Sequence, residues 1–482
     1  MSHPPRSAAQ PQSDPAPSEQ GPLSAAAEAA PAALRGRLTS LARARTALHV
    51  LLLAGAQALT QVASFVAVLL VARGLSLAEY GVYAVAITTS FFVAAIPGIG
   101  IDLAAMRVTS AQDGAGGARP LAAVGAAIKL VVALTVTALT FLLAGAIAGP
   151  VMGRPEASGA LRVGAVAGLI AGSTTYVFAM LQARRRFTLL TAIITGGALL
   201  KVAPVALLAL AGLLTLWSAY AAFLLSGAAV LVAGATVTGL HRMAVRGADR
   251  AAVRRLLRAS AWLTLGILVN SVMVFMDVYI ITALRGPEEA AVYSGARVIA
   301  MGLYVFGAAA LAVMLPLAAR MTDPRRLARF IRRSTAGMAA LSAALLVLPL
   351  GAGLVVRLVL PAGYDGAVAP LRLLSLALLT DLLMTPAVVL LITLDATRLY
   401  ALASVLVLPF AGVAAFAGVA TAGADGAAAV YLGHRTAVMV LFFLFGVLAL
   451  RRRIAAADAA TARQGPEPRA RPSGARGSGD AV

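Results

Sequence analysis

Cysteine is absent from all 482 residues. Disulfides, thiolate metal sites, iron–sulfur clusters and cysteine nucleophiles are excluded together, and cysteine usage says nothing about redox compartment. Charge is also scarce: 12% of residues are charged and 60% hydrophobic, where a soluble domain carries about a quarter charged and about half apolar. A chain of this length cannot hide so much apolar surface from water, so an ordinary globular protein is excluded. Lysine is nearly missing. Only Lys129 and Lys201 occur, after Ile128 and Leu200, so the Gly-Lys-Ser/Thr of a phosphate-binding loop cannot form. His3, His49, His241 and His434 are too scattered for metal-ligand spacing, and no Gly-x-Ser-x-Gly elbow occurs. The glycines Gly114, Gly116 and Gly117 have no strand before them and read as a loop. The pattern calls for no cofactor and no metal, and it points away from an enzyme.

What the chain does have is arginine and long apolar runs. The net charge is +21, which in a soluble protein would suggest nucleic acid. Here the arginines stand between apolar runs, so topology accounts for them and no nucleic-acid partner is expected. Cutting at charged and Gly/Pro breaks predicts about twelve spanning helices, each near the ~20 residues a bilayer requires. They fall at 47–71, 81–106, 121–149, 160–182, 188–211, 214–240, 261–284, 293–319, 334–360, 367–392, 400–421 and 427–450. The fold class is therefore an all-α polytopic membrane protein. Residues 1–46 are expected to be disordered up to a short basic amphipathic helix at 34–46, suited to an anionic leaflet. The first apolar run starts too far along for a cleavable signal peptide. Residues 47–240 form one six-helix unit and 261–450 another. A basic linker, 241–260, joins them, and 451–482 is a polar tail expected to be disordered.

Arg107, Arg119, Arg184–Arg186, the linker arginines, Arg320–Arg333, Arg398 and Arg451–Arg453 all fall on one side. The alternate loops hold only Arg73, Arg154, Arg285 and Arg357. The positive-inside rule places the rich side and both termini in the cytoplasm of a plasma membrane. The outward loops are all short, which disfavours a membrane glycosyltransferase with catalytic acids in an outer domain.

An internal repeat is visible. Glu79-Tyr80-Gly81-Val82-Tyr83 precedes the core of the second span, and Glu289-Ala290-Ala291-Val292-Tyr293 stands at the eighth. The offset is 210 residues, and it also maps Arg162 onto Arg372. An even number of spans per copy gives both copies the same orientation, so the units form a 6+6 parallel repeat. Alternating-access transporters are built in this way, with the site between the halves.

Each ionisable group within a span needs a partner or an aqueous cavity, since its insertion costs at least ~2.5–3.5 kcal/mol. Lys201 lies deep in the fifth span, before Pro204, which is expected to kink that helix. Lys129 either snorkels to headgroups or enters a cavity, and Asp102 is expected at the interface. Asp277 and Arg297 stand at matched depth on consecutive spans and are expected to meet. They would serve either as a structural tie or as a pair that a substrate anion or a proton opens. Asn270 shares much of the Asp277 face. Gln57 and Gln61 share one side of the first span, as helix glue or as cavity lining. Asp381 is mid-span near Pro386, which is expected to interrupt the tenth helix, as Pro97-Gly98-Ile99-Gly100 breaks the second. Arg162 and Arg372 read as headgroup anchors.

Val71-Ala72-Arg73-Gly74-Leu75-Ser76-Leu77-Ala78-Glu79-Tyr80-Gly81-Val82-Tyr83 resembles a signature of O-antigen-type polysaccharide flippases. Leu181-Gln182-Ala183-Arg184-Arg185-Arg186-Phe187 is similar to that family's cytoplasmic turn, and Leu200-Lys201-Val202 fits the fifth helix that follows. Pro361-Ala362-Gly363-Tyr364-Asp365-Gly366-Ala367, running on to Leu371-Arg372-Leu373-Leu374, resembles a later segment. Gly74 and Ala290-Ala291 depart from the pattern. The resemblance spans about 50–450 and implies the multidrug/oligosaccharidyl-lipid/polysaccharide exporter fold. That fold has two six-helix bundles around a V-shaped central cavity. It further implies a flippase of undecaprenyl-diphosphate-linked glycans working with glycosyltransferases and a polymerase. Cationic cavity residues would then hold the diphosphate. On that reading Arg297, Lys201, Gln57, Gln61 and Asn270 bind substrate, and Asp277 and Asp381 gate or couple transport. The alternatives are a drug/cation antiporter of the same superfamily, favoured by acidic cavity residues, and a non-transporting scaffold, favoured by charges that pair off completely.

Overall fold

The computed structural model describes residues 32–97, 101–102, 106, 118–184, 186–239, 250–321, 323–394 and 396–464. The described residues form helices and turns only. In chain order these are α1 (Ala32–Gly74), α2 (Leu77–Ala95), α3 (Ala118–Ala146), α4 (Ala157–Ala183), α5 (Phe187–Leu210), α6 (Leu216–Thr238) and α7 (Arg250–Leu284). They continue with α8 (Pro287–Ala300), α9 (Tyr304–Ala319), α10 (Pro324–Leu345), α11 (Val347–Leu350), α12 (Ala352–Val359), α13 (Val368–Thr393) and α14 (Thr397–Gln464). Among the described residues ten stretches are long and apolar enough to cross a membrane, and Leu268–Leu284 is a shorter apolar helix. The last stretch, Ser404–Ala459, is two helices joined across non-helical Ala422 and Gly423. Divided there, and with Leu268–Leu284 counted, the described residues provide the twelve spans that the apolar runs predict.

Several boundaries differ from expectation. The basic stretch at 34–46 is not a separate helix but the start of α1, and residues 1–31 lie outside the described residues. Residues 250–260 of the expected linker belong to α7, and 451–464 of the expected tail belong to α14. The ninth span begins at Pro324 rather than 334. Asp323 caps it through the backbone N–H of Arg325, and arginines then occupy its first turns. Pro386 does not interrupt its helix, since α13 runs through it, and α5 likewise runs on past Pro204. Neighbouring helices and local adjustment can satisfy the carbonyl that proline frees in a membrane. Pro150 is different, because it sits in a π-helical turn, Ile147–Val151, at the end of α3. Gly98–Gly100 lie outside the described residues.

Within Ala56–Val482, α4 and α13 are each the centre of a group. α2, α3, α5 and α6 pack on α4, while α8, α9, α10 and α14 pack on α13. Lipid tails are as apolar as leucine side chains, so helices in a bilayer associate through close packing and small residues. α4 carries such a stripe. Gly164, Gly168 and Gly172 present one face, and a Cβ at Gly164 or Gly168 would overlap Ala86, Thr89, Ser90 or Val93 of α2. The repeat is visible in the helix starts, since α2 begins at Leu77 and α8 at Pro287. These two helices meet each other. A Cβ on Gly81 would overlap the carbonyl oxygen of Pro287, so the two backbones are in contact there. Beside this crossing Tyr80 packs edge-on against Tyr364 at 6.1 Å and stacks on Tyr83. Arg73 donates to the carbonyl of Val359 at 3.1 Å, joining the end of the first span to α12.

Candidate functional site

A cavity of about 580 Å³ lies among α7, α8, α9, α13 and α14, with Phe91, Ala94, Ala95 and Thr175 of the first half on its border. Most of its wall is aliphatic or aromatic. The polar groups are concentrated in Asn270, Ser271, Arg297, Asp381, Thr385, Ser404 and Arg435.

The strongest polar contact in this wall involves a residue that the sequence reading passed over. Arg435 of α14 donates its Nε to Asp381 Oδ1 of α13 at 2.5 Å, and its Nη1 to Asn270 Oδ1 of α7 at 2.8 Å. The guanidinium also lies over the Tyr431 ring, 5.9 Å from its centroid. The Arg435 and Asp381 side chains are only 9% and 13% exposed. A buried ion pair of this kind needs both charges, because removing either leaves the other uncompensated in low dielectric. The signal was available in the sequence, since Arg435 stands inside the predicted 427–450 span and any charge at that depth requires a partner. His434, its neighbour, is 8% exposed and has no hydrogen-bond partner on either ring nitrogen.

Arg297 of α8 also lines this cavity. Its guanidinium lies 5.1 Å from the centroid of Phe275, a cation–π arrangement, and its Nη1 is buried with no hydrogen-bond partner. The expected Asp277–Arg297 ion pair is not formed. Asp277, 2% exposed, instead accepts a hydrogen bond from the Tyr293 hydroxyl at 2.7 Å. The eighth helix starts at Pro287 rather than at 293, so Tyr293 lies about 9 Å from its start, close to the roughly 10 Å that separates Asp277 from Leu284. Arg297 lies one turn deeper on the same face. Asp277 does not line the cavity among the described contacts.

The remaining predicted residues do not join this site. Lys201 and Gln57 line a separate cavity of about 250 Å³ among α1, α4, α5 and α6. There Lys201 Nζ donates to Ser64 Oγ at 3.0 Å. Gln61, on the same helix side as Gln57, is exposed and lines neither cavity. Lys129 neither snorkels nor faces a cavity. It forms a 2.5 Å ion pair with Asp102 and a 2.8 Å hydrogen bond with Thr175 Oγ1, which in turn donates to Asp102 Oδ2 at 2.8 Å. Asp102 is thus 6% exposed and buried in a network, rather than placed at the interface. Thr175 is the one residue named here that borders both cavities. Arg162 and Arg372 are exposed, near the starts of α4 and α13. Among the described residues no group of three or more His, Cys, Asp or Glu side chains could hold a metal ion.

The arrangement of helices is that of a known transporter fold. A lipid II flippase, MurJ, in an inward closed conformation aligns with a TM-score of 0.68 at 11% identity, covering 84% of this chain and 90% of that one. A Vibrio cholerae MATE transporter, VcmN, in variant form, gives 0.62 at 14% identity, covering 87% and 98%. An inward-facing multidrug resistance MATE family transporter of the MOP superfamily gives 0.61 at 15%, covering 82% and 95%. At these identities the likeness establishes the two-lobed fold of a multi-pass membrane protein and nothing finer. No protein of curated function matches the sequence significantly. The sequence itself matches the family described as polysaccharide biosynthesis protein over residues 48–322, more than half its length, and the chain therefore belongs to the polysaccharide biosynthesis protein family.

Proposed function

We propose that the protein is a flippase for a lipid-linked oligosaccharide or polysaccharide precursor of the undecaprenyl-diphosphate type, moving it across the plasma membrane by alternating access. The observation that carries this reading is the charge of the larger cavity. Of the charged side chains lining it, Arg435 and Asp381 neutralise each other, and Arg297 remains with Nη1 lacking any hydrogen-bond partner. A buried donor left unmade costs about 1–3 kcal/mol, and a phosphate oxygen accepting from it recovers that energy through a charge-assisted bond. The aliphatic wall suits the lipid carrier beside its phosphates.

On this reading Arg297 holds the diphosphate, with Asn270 and Arg435 beside it. The vectorial step draws on an ion gradient, on membrane potential or on consumption of product outside, with Asp277 and Asp381 the carboxylates that could couple it. Both termini face the cytoplasm, where glycosyltransferases would load the carrier, and a polymerase would use the product outside. A drug/cation antiporter would need an unneutralised carboxylate on the cavity wall, and Asp381 is held by Arg435. In proteoliposomes carrying a fluorescent polyprenyl-diphosphate glycan, Arg297→Ala should lower flipping at least about tenfold, the equivalent of one charge-assisted hydrogen bond. Arg297→Lys should retain part of it. Undiminished flipping by Arg297→Ala would overturn the reading, as would efflux of cationic dyes with no flipping.

A further inference from the structure

The second cavity holds a cation whose counter-ion is missing. Lys201 is on α5, nine residues before its outer end at Leu210, or about 14 Å at 1.5 Å per residue. At that depth an ammonium is costly unless something compensates it. Among the described residues its one hydrogen bond is to Ser64 Oγ, and two of its three donors are unused. No carboxylate lines this cavity. Asp102, reached through Thr175, is already taken by Lys129.

The other polar groups on the wall are Gln57, Thr60, Thr174, Thr175 and Ser226. Thr60, Thr174 and Ser226 now bond to their own helices and could turn to an anion, Gln57 adds an amide donor, and Thr175 is already engaged with Asp102 and Lys129. The rest of the lining is apolar, including Ile170, Phe178, Ile193, Phe223 and Val230. On α5 and α6, Leu199, Leu207, Leu225 and Val232 are exposed, in a stretch that crosses the membrane. The cavity therefore combines one uncompensated positive charge, neutral donors, apolar walls and helices that border the acyl chains. A volume of about 250 Å³ exceeds what one water requires, at about 30 Å³, and suits a headgroup fragment.

We infer that the Lys201 cavity is a binding site for the phosphate of an anionic lipid, separate from the Arg297 cavity. Lys201 supplies the charge as a compact ammonium, a phosphate binder of a different geometry from the bidentate guanidinium. Two sources carry this chemistry: a phosphodiester phospholipid of the bilayer, or a polyprenyl phosphate. The site is a matter of binding, so it stands or falls independently of whether the protein flips glycans.

Native mass spectrometry of the purified full chain tests it, with phosphatidylglycerol, polyprenyl phosphate and zwitterionic phosphatidylcholine as probes in the same micelles. Wild type should retain at least one anionic probe over phosphatidylcholine. Lys201→Met, of similar length but neutral, should lower that retention about tenfold, as expected for loss of a charge-assisted bond, and Lys201→Arg should restore part of it. Phosphatidylglycerol retention that Lys201→Met removes assigns the site to bulk lipid, and loss of polyprenyl phosphate retention alone in that variant assigns it to the carrier. Equal retention of all three probes overturns the inference, as does anionic retention unchanged in Lys201→Met. Arg372→Ala, at an exposed arginine that lines neither cavity, is the control that should leave retention intact. Helical circular dichroism of each variant confirms that loss of lipid is not loss of fold.

Discussion

Replacing Arg435 with methionine tests the network that joins three helices of the larger cavity. The substitution keeps most of the side-chain length but removes the donors to Asp381 Oδ1 and Asn270 Oδ1. Hydrogen bonds to charged groups contribute about 1.5–3 kcal/mol each. Breaking one side of a buried ion pair typically costs about 3–5 kcal/mol, because the surviving charge is stranded. Asp381, with its side chain 13% exposed, has little water to turn to. Arg435→Met should therefore destabilise the protein by about 3–5 kcal/mol in reversible unfolding from mixed micelles, followed by helical circular dichroism. Adding Asp381→Leu should recover most of that loss, since apolar replacement of a whole buried pair is often close to neutral. A remainder of about 1 kcal/mol belongs to Asn270, which then lacks its donor. If Arg435→Met costs less than about 1 kcal/mol, a typical value for an exposed pair, the network is not what holds these helices. A double variant less stable than the single one would refute the stranded-charge argument.

Gly81→Leu should prevent the close approach of α2 and α8, because any Cβ there overlaps the Pro287 carbonyl oxygen; accessibility of a cysteine at Tyr364 to an outside reagent should rise well above that of the same cysteine in the Gly81 parent. Unchanged accessibility would mean that the α2–α8 crossing does not seal this end. For topology, a cysteine at exposed Asp425 should label from outside intact cells, while one at Asp458, which pairs with Arg325 at 3.0 Å, should label only after permeabilisation. The reverse pattern would invert the orientation deduced from the arginines.

Much of the architecture was legible in the sequence, because one-dimensional quantities decide it. Apolar run length sets the number of spans, and the 210-residue offset between Glu79-Tyr80 and Glu289-Ala290 is matched by the helix starts at Leu77 and Pro287. The spacing of charges along one helix follows from a constant rise per residue, but depth compared across helices depends on where each helix starts. Rotation about the helix axis and the choice of neighbour do not follow, because they depend on how helices far apart in sequence pack. Asp277 and Arg297 were expected at one depth, yet α8 begins at Pro287, and it is Tyr293, 16 residues from Asp277, that meets the carboxylate. Arg435 finds Asp381 at a separation of 54 residues and Asn270 at 165. Lys201 meets Ser64 across 137 residues, in a cavity of its own rather than beside Arg297. Small residues set which helices can come close, as where Gly164 and Gly168 of α4 meet α2. The sequence by itself thus determined that charges at these depths must be compensated, since lipid offers no solvation. Only the packed helices decided which partner each charge would have, and which of them, Arg297 and Lys201, would be left with donors to spare.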